Sequence, residues 1–176
     1  TISSFNSVLI GQEKVKGKDG YFTTFTTVEK NKKTYIEYKQ NGTSSWANNP
    51  YWDNTMETDG CGITAMSIII SGYSNSEQYT PEVLRQRYFP VLDAEKISSE
   101  LSKSYKIPNS GFLYDSVSMS ESQITKQLLA NKPVLVCVWH NLGDNRWTKV
   151  SHYIVLLAAD ENGMWYVSNP NGLEDN

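Results

Sequence analysis

The stretch Met56-Glu57-Thr58-Asp59-Gly60-Cys61-Gly62-Ile63-Thr64-Ala65-Met66-Ser67-Ile68-Ile69-Ile70-Ser71-Gly72-Tyr73 decides how the 176-residue chain reads. A glycine-flanked turn opens directly into a short apolar helix, with Cys61 at the junction. Ile63, Met66 and Ile70 stand at i, i+3 and i+7, the spacing of one buried helix face. Gly72 reads as the C-terminal stop, because glycine takes the left-handed conformation cheaply. A thiol in the first turn of a helix faces unpaired N–H groups and the positive end of the macrodipole. Both favour thiolate, the form in which cysteine is a nucleophile. The flanking glycines leave room for a carbonyl to approach the sulfur. Free cysteines also serve as small buried hydrophobes, so position alone leaves both roles open.

Upstream, residues 1–20 carry weak signals and end in the turn Gly17-Lys18-Asp19-Gly20. Tyr21 to Val28 and Lys33 to Gln40 are rich in aromatic and β-branched residues. In the second run Tyr35, Glu37 and Lys39 alternate with Ile36, Tyr38 and Gln40, as in a half-buried strand. The two runs predict an antiparallel hairpin at about 21–40. The cluster Lys30, Lys32 and Lys33 between them reads as a solvated turn. Residues 41–60 form a long polar and aromatic loop, a length more often functional than idle.

Downstream, Thr80 with Pro81 predicts a capped helix through Tyr88. Asp93 caps another, with Ile97, Leu101 and Tyr105 on one face. Ser120 and Gln123 match a capping box opening a helix to about Ala130, with Ile124, Leu128 and Leu129 inward. The last third turns to strands: Val134 to Trp139, His152 to Ala158 and Met164 to Ser168. Asp160-Glu161-Asn162-Gly163 joins the last two as a hairpin turn. A helical first part packed on a C-terminal antiparallel sheet is an α+β fold, read as a single domain over 1–176.

Composition excludes several classes. Apolar residues are 39% and charged residues 20%, a globular mixture, and the net charge of −3 comes without a basic face for nucleic acid. No apolar run is long enough to span a bilayer. The chain begins at Thr1, so any targeting segment is expected to have been removed or to lie outside this sequence. Two cysteines make no disulfide framework. Cys137, inside an apolar strand, reads as a buried structural thiol, and a bridge to Cys61 would consume the thiol that gives the first stretch its interest. No C-x-x-C or H-x-x-x-H spacing supports zinc. No metal or organic cofactor is expected.

Two histidines are present, His140 and His152. His140 leads into a polar loop. His152 opens a strand, where an imidazole facing a cleft can take a proton from a helix-terminal thiol and later return it. The imidazole needs a neighbour to fix its tautomer, and Asn169, ending the next strand in Ser168-Asn169-Pro170-Asn171-Gly172, can supply an oxygen. Each residue alone also fits a structural role, His152 at a strand end and Asn169 in a turn.

Together, Gly-Cys-Gly at a helix start, Ser151-His152-Tyr153 opening a strand and Asn-Pro one hairpin later resemble the papain-like cysteine peptidases. The chain is more closely similar to the bacterial family that includes the bacteriocin leader-processing (double-glycine) peptidases and their secreted relatives. The matching pieces are Tyr38-Lys39-Gln40, Trp46-Ala47-Asn48, Pro50-Tyr51, Asp59 to Met66, Lys132 to Val136, Ser151-His152-Tyr153 and Ser168-Asn169-Pro170. The resemblance implies a papain-like fold with Cys61 as nucleophile, His152 as general acid/base and Asn169 as its orienting partner. It implies Gln40 as an oxyanion donor beside the Cys61 N–H. Gln40 stands much farther from the cysteine than the corresponding glutamine commonly does, and Asn54 is the alternative donor.

The expected activity is hydrolysis of peptide bonds through a thioester. An amidase or acyltransferase on the same scaffold, or a silent peptide-binding module, are the alternatives. Expected partners are a peptide or protein substrate, cell-wall peptide included, acted on by a monomer. The resemblance implies a secreted or cell-surface bacterial location. Trp46, Trp52, Trp139 and Trp147 are candidates to line the cleft, against the more usual role of tryptophan in a core.

Overall fold

The structure is a computed structural model describing residues 8–42, 44–89, 96–97, 99–100, 120–138 and 152–171. It opens with a three-stranded antiparallel sheet in the order β1 (Leu9–Lys16), β2 (Gly20–Thr27), β3 (Lys32–Tyr38). The expected hairpin is β2–β3, in a register that sets Thr23 opposite Tyr35 and Phe25 opposite Lys33. The sequence reading missed β1. Its side chains are largely exposed, so it has little apolar alternation to detect. As an edge strand it carries Glu13, Lys14 and Lys16, which discourage further pairing.

Strand β3 departs from the half-buried pattern: Tyr35, Ile36, Glu37 and Tyr38 are all buried. Helix packing explains one part of this, because the Ile36 N–H donates to the Ser71 hydroxyl at 2.8 Å, satisfying a group on the open edge of the sheet. On Glu37, the carboxylate accepts from the Thr23 hydroxyl and from the Tyr166 hydroxyl, the latter at 3.0 Å. Lys14 stands 3.9 Å away. A buried carboxylate is tolerated only when it is bonded in this way. Lys33 is also more than a solvated turn residue. Its ammonium lies 4.0 Å from the Tyr73 ring centroid, and burial pulls its pKa down to about 8.

Residues 41–60 contain more order than a loop. β4 (Pro50–Tyr51) and β5 (Asn54–Thr55) pair as a miniature hairpin that runs into the single turn α1 (Met56–Asp59). Gly60 then permits the sharp passage into α2, since a Cβ there would stand 2.6 Å from the Met56 carbonyl oxygen. Helix α2 (Cys61–Ser74) is the centre of the fold. Every residue from Gly62 to Gly72 is buried, not one face of it, because the helix packs against β3 on one side and β7 on the other. Gly72 is therefore inside the helix and does not end it. A Cβ there would meet the Tyr35 ring at 2.1 Å, so its role is close approach of helix to strand. The left-handed residue that ends the helix is Asn75, at φ 49°.

Helix α3 (Pro81–Tyr88) starts as expected, with the Thr80 side chain accepting from the Val83 N–H. The capping box is complete at Ser120 and Gln123, opening α4 (Glu121–Leu129). Of the helix expected after Asp93, only four residues are described, among them the fully buried Ile97. Asp93, Leu101 and Tyr105 lie outside the described residues.

The second antiparallel sheet has the order β6 (Val134–Val138), β7 (His152–Ala159), β8 (Trp165–Ser168). One face joins α2 and β3 in a common core through Val155 and Leu157. Its other face carries Ile154 and Leu156 under Leu128 and Ile124 of α4. The α+β class thus stands, with a sheet preceding the helices as well as following them.

Candidate active site

Cys61 is the first residue of α2, and no side chain caps that helix. The free N–H groups of the first turn need an acceptor. Those of Cys61 and Gly62 face the sulfur, as does the N–H of Tyr153 from β7. Through Tyr153, the sulfur sits one peptide link from His152. Burial is the larger influence and pushes the thiol's pKa up, while these N–H groups oppose it. The thiolate expected from the helix position is therefore not the resting form, because desolvation outweighs the N–H groups that stabilise the anion.

His152 is 4% exposed. Its Nε2 lies 2.7 Å from the Asn169 Oδ1, and the same oxygen accepts the Asn171 backbone N–H at 2.9 Å. Burial holds the imidazole below its ordinary pKa, with the Asn169 bond opposing. His152 is thus neutral at pH 7.

Gln40 reaches the same region from the end of β3. Its backbone N–H donates to the Pro170 carbonyl at 2.9 Å. The side-chain amide donates to the carbonyls of Glu57 at 2.8 Å and Met56 at 3.3 Å. Its buried Oε1 has no partner among the described groups. Asn54, the alternative donor, is exposed and bonded to Asp59 at 3.0 Å.

Sequence reasoning did not find the zipper around Asn169. Lys39 donates from Nζ to the Asn169 carbonyl at 2.9 Å, and Asn41 donates from Nδ2 to the Asn171 Oδ1 at 2.5 Å. With the Gln40–Pro170 bond, residues 39–41 hold residues 169–171 along their length. Asn41 and Asn171 are ordinary turn residues in the sequence. Nothing in their spacing tells that they meet.

Other expectations fare differently. Cys137 is exposed and free, not buried; it stands opposite Tyr153 in the β6–β7 register. Trp46 belongs to the core, 2% exposed, with its indole N–H on the Lys39 carbonyl at 2.7 Å. Trp52 is 61% exposed. Trp139, Trp147, His140 and Ser151 lie outside the described residues. A cavity of about 30 Å³ lies away from the thiol, lined by Phe25, Thr27, Lys33, Leu128 and Leu157. Among the described residues no helix is long and apolar enough to cross a membrane.

The model of one protein family, the Peptidase_C39 like family, matches residues 34–176. No curated protein and no solved structure gives a match.

Proposed function

The chain belongs to the Peptidase_C39 like family, and on that premise we propose that it is a cysteine peptidase using Cys61, His152 and Asn169 on a papain-like fold. The observation that carries the reading is the 2.7 Å bond between Asn169 and His152. With Nε2 committed to Asn169, the free ring nitrogen is Nδ1, a lone pair available to a thiol proton.

The chemistry runs from a neutral pair. As the sulfur attacks the scissile carbonyl, His152 takes the thiol proton at Nδ1 and the carbonyl oxygen gains the negative charge. The Cys61 N–H and the Gln40 amide are the donors for that oxygen, Gln40 by turning from the α1 carbonyls. Such a donor lowers the barrier by about 3–4 kcal/mol in acyl transfer. The C–N bond breaks as His152 passes its proton to the leaving amine. Water, deprotonated by His152, then hydrolyses the thioester and restores the thiol.

One observation favours the alternative of a silent peptide-binding module: the Gln40 side-chain N–H groups are engaged by the Met56 and Glu57 carbonyls. A random synthetic octapeptide library, incubated with the protein with and without glycinamide and read by mass spectrometry, separates the readings. New free carboxyl termini mean hydrolysis, and glycinamide adducts mean acyl transfer. Cleavage no greater than in Cys61→Ala would overturn the enzyme reading.

A further inference from the structure

The cavity of about 30 Å³ away from Cys61 is walled by both halves of the fold. Phe25, Thr27, Lys33 and Tyr35 come from β2 and β3, Leu157 from β7 and Leu128 from α4. The β2–β3 register sets Phe25 opposite Lys33 and Thr23 opposite Tyr35. By the two-residue period of a strand, Phe25, Thr27, Lys33 and Tyr35 therefore share one face of the sheet. Thr27 is then the diagonal neighbour of Lys33, about 7–8 Å away and within reach of a long side chain.

The walls contributed by these strands are polar and short of partners. Thr27 is 8% exposed and Tyr35 1%, and neither hydroxyl has a hydrogen-bond partner among the described groups. Buried hydroxyls are costly in that state. Lys33 adds a charge. Its ammonium lies 5.5 Å from the Tyr35 ring centroid and 4.0 Å from that of Tyr73. Neither ion pair among the described residues includes it. Lys32 lines the same cavity, and among the described residues no acidic side chain does. The acid of the adjoining turn, Glu29, is exposed and accepts from Asn31 at 3.4 Å. Burial pulls the Lys33 pKa down to about 8, with no carboxylate opposing it.

An ammonium only donates, and a threonine or tyrosine hydroxyl can donate as well. A single negatively charged acceptor satisfies all three, and hydrogen bonds to an ion are the stronger kind. Water accepts the same bonds but leaves the charge uncompensated. One water needs about 10–15 Å³ of such space. The cavity thus has room for an ion of chloride's size and none for an organic acid as large as gluconate.

We propose that Thr27, Lys33 and Tyr35 form a binding site for a small monovalent anion of chloride's size, which ties the N-terminal sheet to β7 and α4. The site stands apart from Cys61 and does not depend on the peptidase reading.

The test follows the melting temperature of the whole chain as sodium chloride replaces sodium gluconate at constant ionic strength. A chloride concentration about ten times the dissociation constant raises the melting temperature by about 3–6 °C, and the rise saturates. Lys33→Met keeps the apolar stem and Thr27→Val keeps the shape, and each removes the response. Lys126→Met, at an exposed position of α4 outside the cavity, retains it. The chloride NMR line width gives a direct reading: wild-type protein broadens it, and both cavity variants remove the excess. These two wild-type measurements decide the matter even where a variant fails to fold. A melting temperature indifferent to chloride, with no excess line width, overturns the site and leaves the cavity to water. A response that persists in both Lys33→Met and Thr27→Val overturns its placement.

Discussion

The Asn169 Oδ1 accepts at once from the Asn171 backbone N–H and from the His152 ring. Because a backbone N–H only donates, it identifies the amide atom beside it as oxygen. His152 Nε2 must then be the protonated nitrogen, and the basic lone pair is on Nδ1. One turn in the chain thus settles a tautomer that an isolated imidazole would leave open.

If His152 is the general base, activity requires it neutral. Its pKa in the fold lies below the ordinary value of about 6.5. The acid limb of kcat/KM therefore falls below pH 6.5, and activity rises as pH passes upward through that limb. The same shift acts on stability. Between the folded pKa and about 6.5 the unfolded chain binds the extra proton, so stability falls as pH is lowered through that window and is complete above it. Kinetic profiles and melting temperatures from pH 4 to 8, compared with His152→Gln, check both.

Asn169→Ala frees the imidazole to rotate and lowers kcat about 100-fold, the scale of loss expected when a reacting group is misplaced by an ångström. Lys39→Met and Asn41→Ala loosen the segment that carries Asn169. They lower kcat by up to about tenfold with KM unchanged. Steady-state kinetics on one cleaved peptide, with His152 ring NMR, distinguish this from general destabilisation: the imidazole pKa moves in these variants and stays put in a remote destabilised control.

Gly72→Ala inserts a Cβ into the Tyr35 ring. Overpacking of this kind costs about 1–3 kcal/mol, read as a lower urea midpoint at constant slope. Tyr35→Leu in the same chain recovers part of the loss.

Glu37→Leu removes the acceptor shared by Thr23 and Tyr166 and takes from the fully buried Thr23 hydroxyl its carboxylate partner. The expected loss is about 1–3 kcal/mol per unsatisfied group, measured by denaturant unfolding. Lys14→Met at the rim of the same site changes stability by less than about 1 kcal/mol, because the pair is partly exposed.

Local chemistry was legible where it is self-contained. The Ser120–Gln123 capping box, the Thr80–Pro81 start and the β7–β8 turn at Gly163 each depend on a few adjacent residues, and each stands in the structure. Strand β1 was not legible, since an edge strand in contact with solvent has no apolar period. Nor were Glu37 or Gly72, whose roles come from partners on β8 and β3 rather than from neighbours in sequence. At the site, Cys61, His152 and Asn169 were legible as residue types in series. What the sequence could not give is the balance of forces on the thiol: its helix position pulls the pKa down, and the depth of burial that outweighs it belongs to the packed fold.

The most direct test of the central claim is a thioester trap. The protein is mixed with N-acetylglycine p-nitrophenyl ester, quenched in acid, and its peptides are mapped with and without hydroxylamine. Cys137 is the internal control, being the more exposed of the two free thiols. We predict a hydroxylamine-labile acetylglycyl group on Cys61, formed in preference to Cys137 and lost in His152→Ala. Acylation of Cys137 instead, or of Cys61 at the same rate without His152, would contradict a Cys61 nucleophile served by His152.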